Sequence, residues 1–177
     1  RLKPGDLKLV ARTADGFIYE NPRALPRAMV VGEARRADLD EIIANGRWPE
    51  FDPRRTVLVS REAPLPPTPG ARPPGLARIV HYGAAEVTID AEAPEGGFLV
   101  LNDVWQSWWT VEVDGSAADL LRANAIFRAV ALPAGKARVV FRFRPWRGLA
   151  ADLEARFRRS APLPASLPHP VGESAAR

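Results

Sequence analysis

The residues best suited to chemistry lie between Asn102 and Trp109, where the chain reads Asn-Asp-Val-Trp-Gln-Ser-Trp-Trp. A sugar ring offers apolar C–H faces that stack on aromatic rings and hydroxyls that exchange hydrogen bonds with amides and carboxylates. Trp105 and Trp108 supply the first kind of contact, and Asn102, Asp103 and Gln106 supply the second. These five residues form the candidate glycan-binding set. The competing reading is architectural: Trp109, in step with Val111 and Val113, fills a core, and Trp105 and Trp108 close its end.

A second set is cationic. Arg138, Arg142 and Arg144 alternate with Val139, Phe141 and Phe143, which gives one strand a core face and an arginine face. Guanidinium groups suit phosphate, so this face, joined by Arg122 and Arg128, is a candidate contact for a lipid headgroup or the phosphate of a polyprenyl-linked sugar. The alternative is solvated strand surface.

Other reaction classes lack their residues. Glycoside hydrolysis needs two carboxyl groups flanking one bond. Asp90, Asp103, Glu112 and Asp114 are available, but Asp114 belongs to a turn and Glu112 to the wet side of a strand. His81 stands in a strand and His169 between prolines near the end, so neither a histidine metal cluster nor a serine triad can be assembled. The absence of cysteine removes thiolate chemistry and disulfides together. Gly96-Gly97 leads into a strand, not the helix that a phosphate loop requires. The expectation is no catalytic residue, no metal and no cofactor.

The elements that must carry these residues follow from the pattern. Hydrophobic residues make up 46% and charged residues 26% of the 177, which fits one globular domain. Leu7–Ala11 and Gly16–Glu20 read as a hairpin, Arg27–Gly32 as a buried strand, Ala34–Asn45 as a helix and Thr56–Ser60 as a strand. Ala63–Pro74 holds six prolines and one glycine in twelve residues and cannot pair regularly. Beyond it, strands are expected at Leu76–Tyr82, Glu86–Glu92, Phe98–Leu101, Trp108–Val113, Asp119–Arg122, Ile126–Leu132 and Ala137–Arg144, with turns at Asp114-Gly115 and Ala134-Gly135. Short strands without intervening helices argue for a sandwich of jelly-roll type.

The expected fold class is therefore α+β, dominated by an antiparallel β-sandwich. Residues 1–62 form a mixed α/β portion packed on it, 63–75 a Pro-rich loop, 76–146 the sandwich portion, 147–159 an amphipathic helix and 160–177 a flexible tail. The net charge of +4 comes almost wholly from scattered arginines interleaved with acids. That pattern points away from nucleic acid and leaves attraction to an anionic membrane surface open. No run reaches the roughly 18 apolar residues of a membrane span, and the first eight residues have no signal-peptide pattern. The chain reads as a soluble piece of something longer.

Three segments, in order, resemble one family. IYENPRALPRAMVV at Ile18–Val31, FDPRRTVLV at Phe51–Val59 and the block Phe98–Pro145 are similar to the C-terminal extracytoplasmic region of YfhO-type bacterial polytopic membrane proteins. Within the block, VEVDG (Val111–Gly115), LLRAN (Leu120–Asn124), FRAVALPAG (Phe127–Gly135) and VVFRFRP (Val139–Pro145) carry most of the likeness. The resemblance implies a membrane glycosyltransferase of the GT-C type that uses lipid-linked sugars outside the cell membrane. This domain would then lie on the periplasmic side, with the transmembrane portion of its own parent chain as its first partner. The family's catalytic carboxylates belong to loops between membrane helices, so none is carried over. Relatives have an aromatic-Pro-Gly-Trp pattern where this chain has Trp105-Gln106-Ser107-Trp108-Trp109, and many enter a membrane helix where this chain has a charged amphipathic one.

Overall fold

A computed structural model describes residues 6–62 and 72–146. A hairpin of β1 (Lys8–Thr13) and β2 (Gly16–Glu20) comes first, and among the described residues its strands pair only with each other. Next come β3 (Ala28–Val31), β4 (Glu33–Arg36), the helix α1 (Leu39–Asn45) and β5 (Thr56–Val59). The later elements among the described residues are strands: β6 (Leu76–Tyr82), β7 (Glu86–Ala93), β8 (Gly97–Leu101), β9 (Trp109–Val113), β10 (Ser116–Ala118), β11 (Leu121–Ala123), β12 (Phe127–Leu132) and β13 (Gly135–Phe143).

Two sheets result. One has the order β10-β9-β13-β7-β6 and the other β3-β8-β12-β11-β5-β4. The chain changes sheet between β5 and β6, β7 and β8, β8 and β9, β10 and β11, and β12 and β13, so the fold is a sandwich in an α+β setting, as the alternation anticipates. β3, β4 and β5 are members of the larger sheet.

Period-two burial shows why these segments are strands. Along β7 every second residue is buried, and Val87, Ile89, Ala91 and Ala93, with Val139 and Phe141 on the adjacent β13, pack with Leu99, Leu101, Val130 and Leu132 of the other sheet in the inter-sheet core. Burying an apolar side chain of this size stabilises by about 1.5–3 kcal/mol, which makes the register of β7 and β13 costly to slip by one residue. The opposite face of β13 is wet, and Arg138 and Arg142 stand on it beside acids of neighbouring strands.

The larger sheet has a second core. Val31, Phe98, Val100, Ala129, Leu121, Val57 and Val59 are almost wholly buried together on the face turned away from the inter-sheet core. Only Gly32 separates β3 at one edge from β4 at the other, so a single extended stretch serves both edges. The sheet therefore curls until β4 approaches β8, enclosing this second core as a small barrel would. A Cβ on Gly32 would stand 2.0 Å from the Arg72 carbonyl oxygen, so the joint is tight as well as short.

Two segments depart from the sequence pattern. The helix expected from Ala34 begins at Leu39, because Glu33–Arg36 pairs in parallel with Thr56–Val59 and becomes β4. Asp38 then caps the helix by accepting the Asp40 and Glu41 N–H groups. Leu39 and Ile42 pack on Leu58, whereas Ile43 is exposed. The strand expected at Asp119–Arg122 is shifted to Leu121–Ala123, and Ser116–Ala118 forms the additional strand β10, since residues 119 and 120 carry the chain from β10 in one sheet to β11 in the other. Most of the Pro-rich segment, the helix expected at 147–159 and the tail at 160–177 lie outside the described residues.

Candidate functional site

The loop after β8 is fixed by its first two polar residues. Asn102 donates from its backbone N–H to the Arg27 carbonyl at 2.7 Å and from its side-chain amide to the Pro26 carbonyl at 2.7 Å. Asp103 accepts from Arg27 Nη1 at 2.7 Å, from the Tyr82 hydroxyl at 3.0 Å and from Arg128 Nη2 at 3.1 Å. Both residues therefore tie the loop to the strands at this end of the sandwich. The Asp103 carboxylate is thereby engaged by three protein donors.

Arg128 explains why Asp103 is needed there. On β12 it falls in step with Val130 and Leu132, so the alternation aims it into the inter-sheet core instead of at water. Its side chain is 3% exposed. The guanidinium carbon lies 4.0 Å from the centre of the Trp109 ring and 5.6 Å from that of Phe141, a cation-π arrangement with both. Burial lowers the Arg128 pKa from its ordinary value, and the Asp103 charge opposes that shift. Nε and Nη1 of Arg128 are buried without a hydrogen-bond partner in the protein, and so is the indole Nε1 of Trp105.

These groups meet at a cleft of about 510 Å³, lined among others by Tyr82, Asp103, Trp105, Gln106, Trp109 and Arg128. The volume is of the size that small ligands occupy. The Trp105 backbone N–H donates to the Ile126 carbonyl at 2.6 Å, which anchors its ring at the cleft wall. Gln106 is exposed at the same opening. Trp108 is half-buried and tilts against Phe143 at 6.0 Å, on the side where Arg144 donates its backbone N–H to the Trp108 carbonyl. Trp108 does not line the cleft with Trp105 and Gln106. Trp109 packs on the inter-sheet core, as its spacing with Val111 anticipates.

The arginine strand is laced to acids. Arg138 Nε donates to Asp90 at 2.9 Å, and its backbone N–H is received by the Asp114 carboxylate at 2.7 Å. Arg142 bridges Glu86 at 2.9 Å and Glu112 at 2.5 Å. Hydrogen bonding from Arg138 holds the Asp90 pKa below its ordinary value of 3.8, and the paired acids raise those of Arg138 and Arg142. Arg144 is exposed. Arg122 and Arg128 do not extend this face: Arg122 reaches Asp40 on the helix and Arg128 turns inward.

Of the sequence candidates, the structure brings together Asp103, Trp105 and Gln106. It adds Tyr82 and Trp109, and it moves Arg128 from the proposed phosphate face into the cleft. Among the described residues, no three histidine, cysteine or acidic side chains are grouped to hold a metal ion, and no helix is long and apolar enough to cross a membrane. No protein-family model, curated protein or solved structure matches the chain.

Proposed function

We propose that this is a non-catalytic extracytoplasmic domain of a membrane glycosyltransferase-like protein, and that it helps to position a glycan or lipid-linked sugar. The observation that carries the reading is the cleft itself, where the Trp105 and Tyr82 side chains border buried donors with no protein acceptor. Aromatic walls with a few directed polar groups are what saccharide recognition requires. The carboxylates weighed for hydrolysis are otherwise engaged. Asp90 and Glu112 sit in ion pairs on the outer face, Asp114 receives a backbone N–H, and Asp103 receives three donors. The resemblance of the segments at 18–31, 51–59 and 98–145 to the YfhO-type region supports the membrane and periplasmic setting. The test is an isotope-edited titration of the chain with cell-envelope oligosaccharides. Shifts at the Trp105 and Trp109 indole N–H signals are expected, and unmoved spectra at millimolar sugar sink the reading.

A second reading, a structural module that docks on its own parent's membrane portion, has an observation of its own. Phe17, Ile18 and Tyr19 are each more than half exposed on a hairpin that pairs with no other strand among the described residues. Grouped exposed apolar side chains mark contact surfaces. Under this reading, polar substitution of these residues weakens assembly of the parent protein and leaves sugar titrations unchanged.

A further inference from the structure

Around Asp103 the donors outnumber the acceptors. Arg27, Tyr82 and one nitrogen of Arg128 converge on its carboxylate, and Arg128 Nε, Arg128 Nη1 and Trp105 Nε1, buried atoms of two residues that line the cleft, remain without protein partners. A buried donor left unmatched costs about 1–3 kcal/mol, and more when it is charged. The charges are unbalanced in the same direction, because Arg27 and Arg128 face one Asp103. A group that brings acceptors and a negative charge complements this arrangement.

We propose that the cleft is an oxyanion-selective saccharide subsite, in which Arg128 and the Trp105 indole N–H receive a carboxylate or phosphate oxygen carried on a sugar. This rests on the glycan reading above and names its ligand class. The Trp109 ring, 4.0 Å from the guanidinium carbon, and the bond to Asp103 hold the buried Arg128 side chain, so little further side-chain freedom is lost on binding. Tyr82 is fixed by its bond to Asp103, and its half-exposed ring stands at the opening. A neutral sugar finds the same walls but leaves the cation without a counter-charge. An acidic sugar adds an ion pair with the guanidinium to the hydrogen bond that a neutral hydroxyl can also accept, so acidic sugars are favoured.

The experiment titrates the 177-residue chain with galacturonate, glucose 1-phosphate, glucose and inorganic phosphate, following indole N–H signals by NMR. At least one acidic sugar is expected to bind tenfold or more tightly than glucose, and to lose affinity as salt is raised. Which acidic sugar prevails separates the carboxylate from the phosphate source. Arg128→Met is expected to abolish the preference. Since that variant removes a buried ion-pair partner, Trp105→Phe serves beside it, keeping an aromatic wall while deleting one donor. It is expected to weaken the acidic sugar several-fold and glucose little, read from the remaining indoles. Equal binding of glucose overturns the oxyanion assignment and leaves the glycan reading standing. Inorganic phosphate binding as tightly as either acidic sugar overturns the saccharide part. No binding by any sugar overturns both.

Discussion

Arg122 and Arg128 stand directly opposite one another on β11 and β12, yet their side chains leave in different directions. Arg122 donates to Asp40 at the start of the helix, and Arg128 donates to Asp103 beneath the cleft. Like charges facing across a strand pair repel. Here each has its own acid, and the two acids come from chain segments far apart in sequence.

That division predicts unequal costs for the carboxylate that Arg128 needs and for its more exposed partner. Asp103→Ala leaves Arg128 buried without its counter-charge, and breaking such a pair costs about 3–5 kcal/mol. Arg27→Ala removes a pair whose arginine side chain is 56% exposed, worth about 0–1 kcal/mol. Urea unfolding of both variants checks the contrast, and equal losses contradict it.

Asn124 closes a gap in the larger sheet. Its backbone N–H donates to the Leu58 carbonyl, and its side-chain oxygen accepts the Leu58 N–H, both at 2.9 Å. It holds φ at 43°, a conformation that asparagine tolerates better than most residues. Asn124→Ala is expected to cost about 1–3 kcal/mol, because the Leu58 N–H is left unmatched in a buried setting. Faster hydrogen exchange at Leu58 would mark the site of the loss.

Gly75 lies where β6 meets the edge strand β3. A Cβ there would fall 1.9 Å from the Glu92 carbonyl oxygen, and its N–H donates to Val30 at 3.2 Å. A backbone carbonyl cannot swing away as a side-chain tip can. Gly75→Ala is expected to lower stability by about 1–3 kcal/mol, in line with other overpacked sites. Gly16→Ala, with open space around its Cβ position, is the control and should change the unfolding midpoint little.

Asp90 gives a pH signature. Its folded pKa is depressed, so its contribution to stability is complete above the ordinary value of 3.8 and is lost as pH falls through the lowered value. Asp90→Asn is expected to be less stable than the parent at neutral pH, with the difference shrinking on acidification. Thermal unfolding at a series of pH values shows this, and a difference that widens toward acid contradicts the assignment. The effect is small because the pair is solvent-screened.

The sheets were legible where one face of a strand is buried and the other wet. Val87 and Ile89 on β7, and Val139 and Phe141 on β13, announce themselves by period alone. The turn at Asp114-Gly115 joins strands paired at Val113 and Ser116, with positive φ at both turn residues, as the dipeptide indicates. β4 was not legible, because Glu-Ala-Arg-Arg has no strand pattern and is made a strand by its neighbour β5. A local cue to the true helix start existed in Asp38, three residues before Glu41.

The site was legible in part. Trp105 and Gln106 are where an aromatic and amide pattern suggests, while Asn102 and Asp103, whose types equally suit a ligand, also fasten the loop to the strands. Binding and bracing use the same residue types. Arg128 had a usable signal, since it stands two and four residues before Val130 and Leu132 on a stripe that points into the core. Nothing in the chain's order reveals that Asp103 and Tyr82 meet it there.

The single-residue joint at Gly32 sets a schedule. β3 and β4 need β8 and β5 as partners, and β8 reaches β5 only through β12 and β11. On a chain made N-terminus first, at about 5–20 residues per second, the apolar β3 waits for several seconds until the 97–132 region exists. Closure of the ring is then a late, long-range event of the kind that slows folding. Through that interval, Met29, Val30 and Val31 are an unpaired edge that a chaperone or another nascent chain can seize.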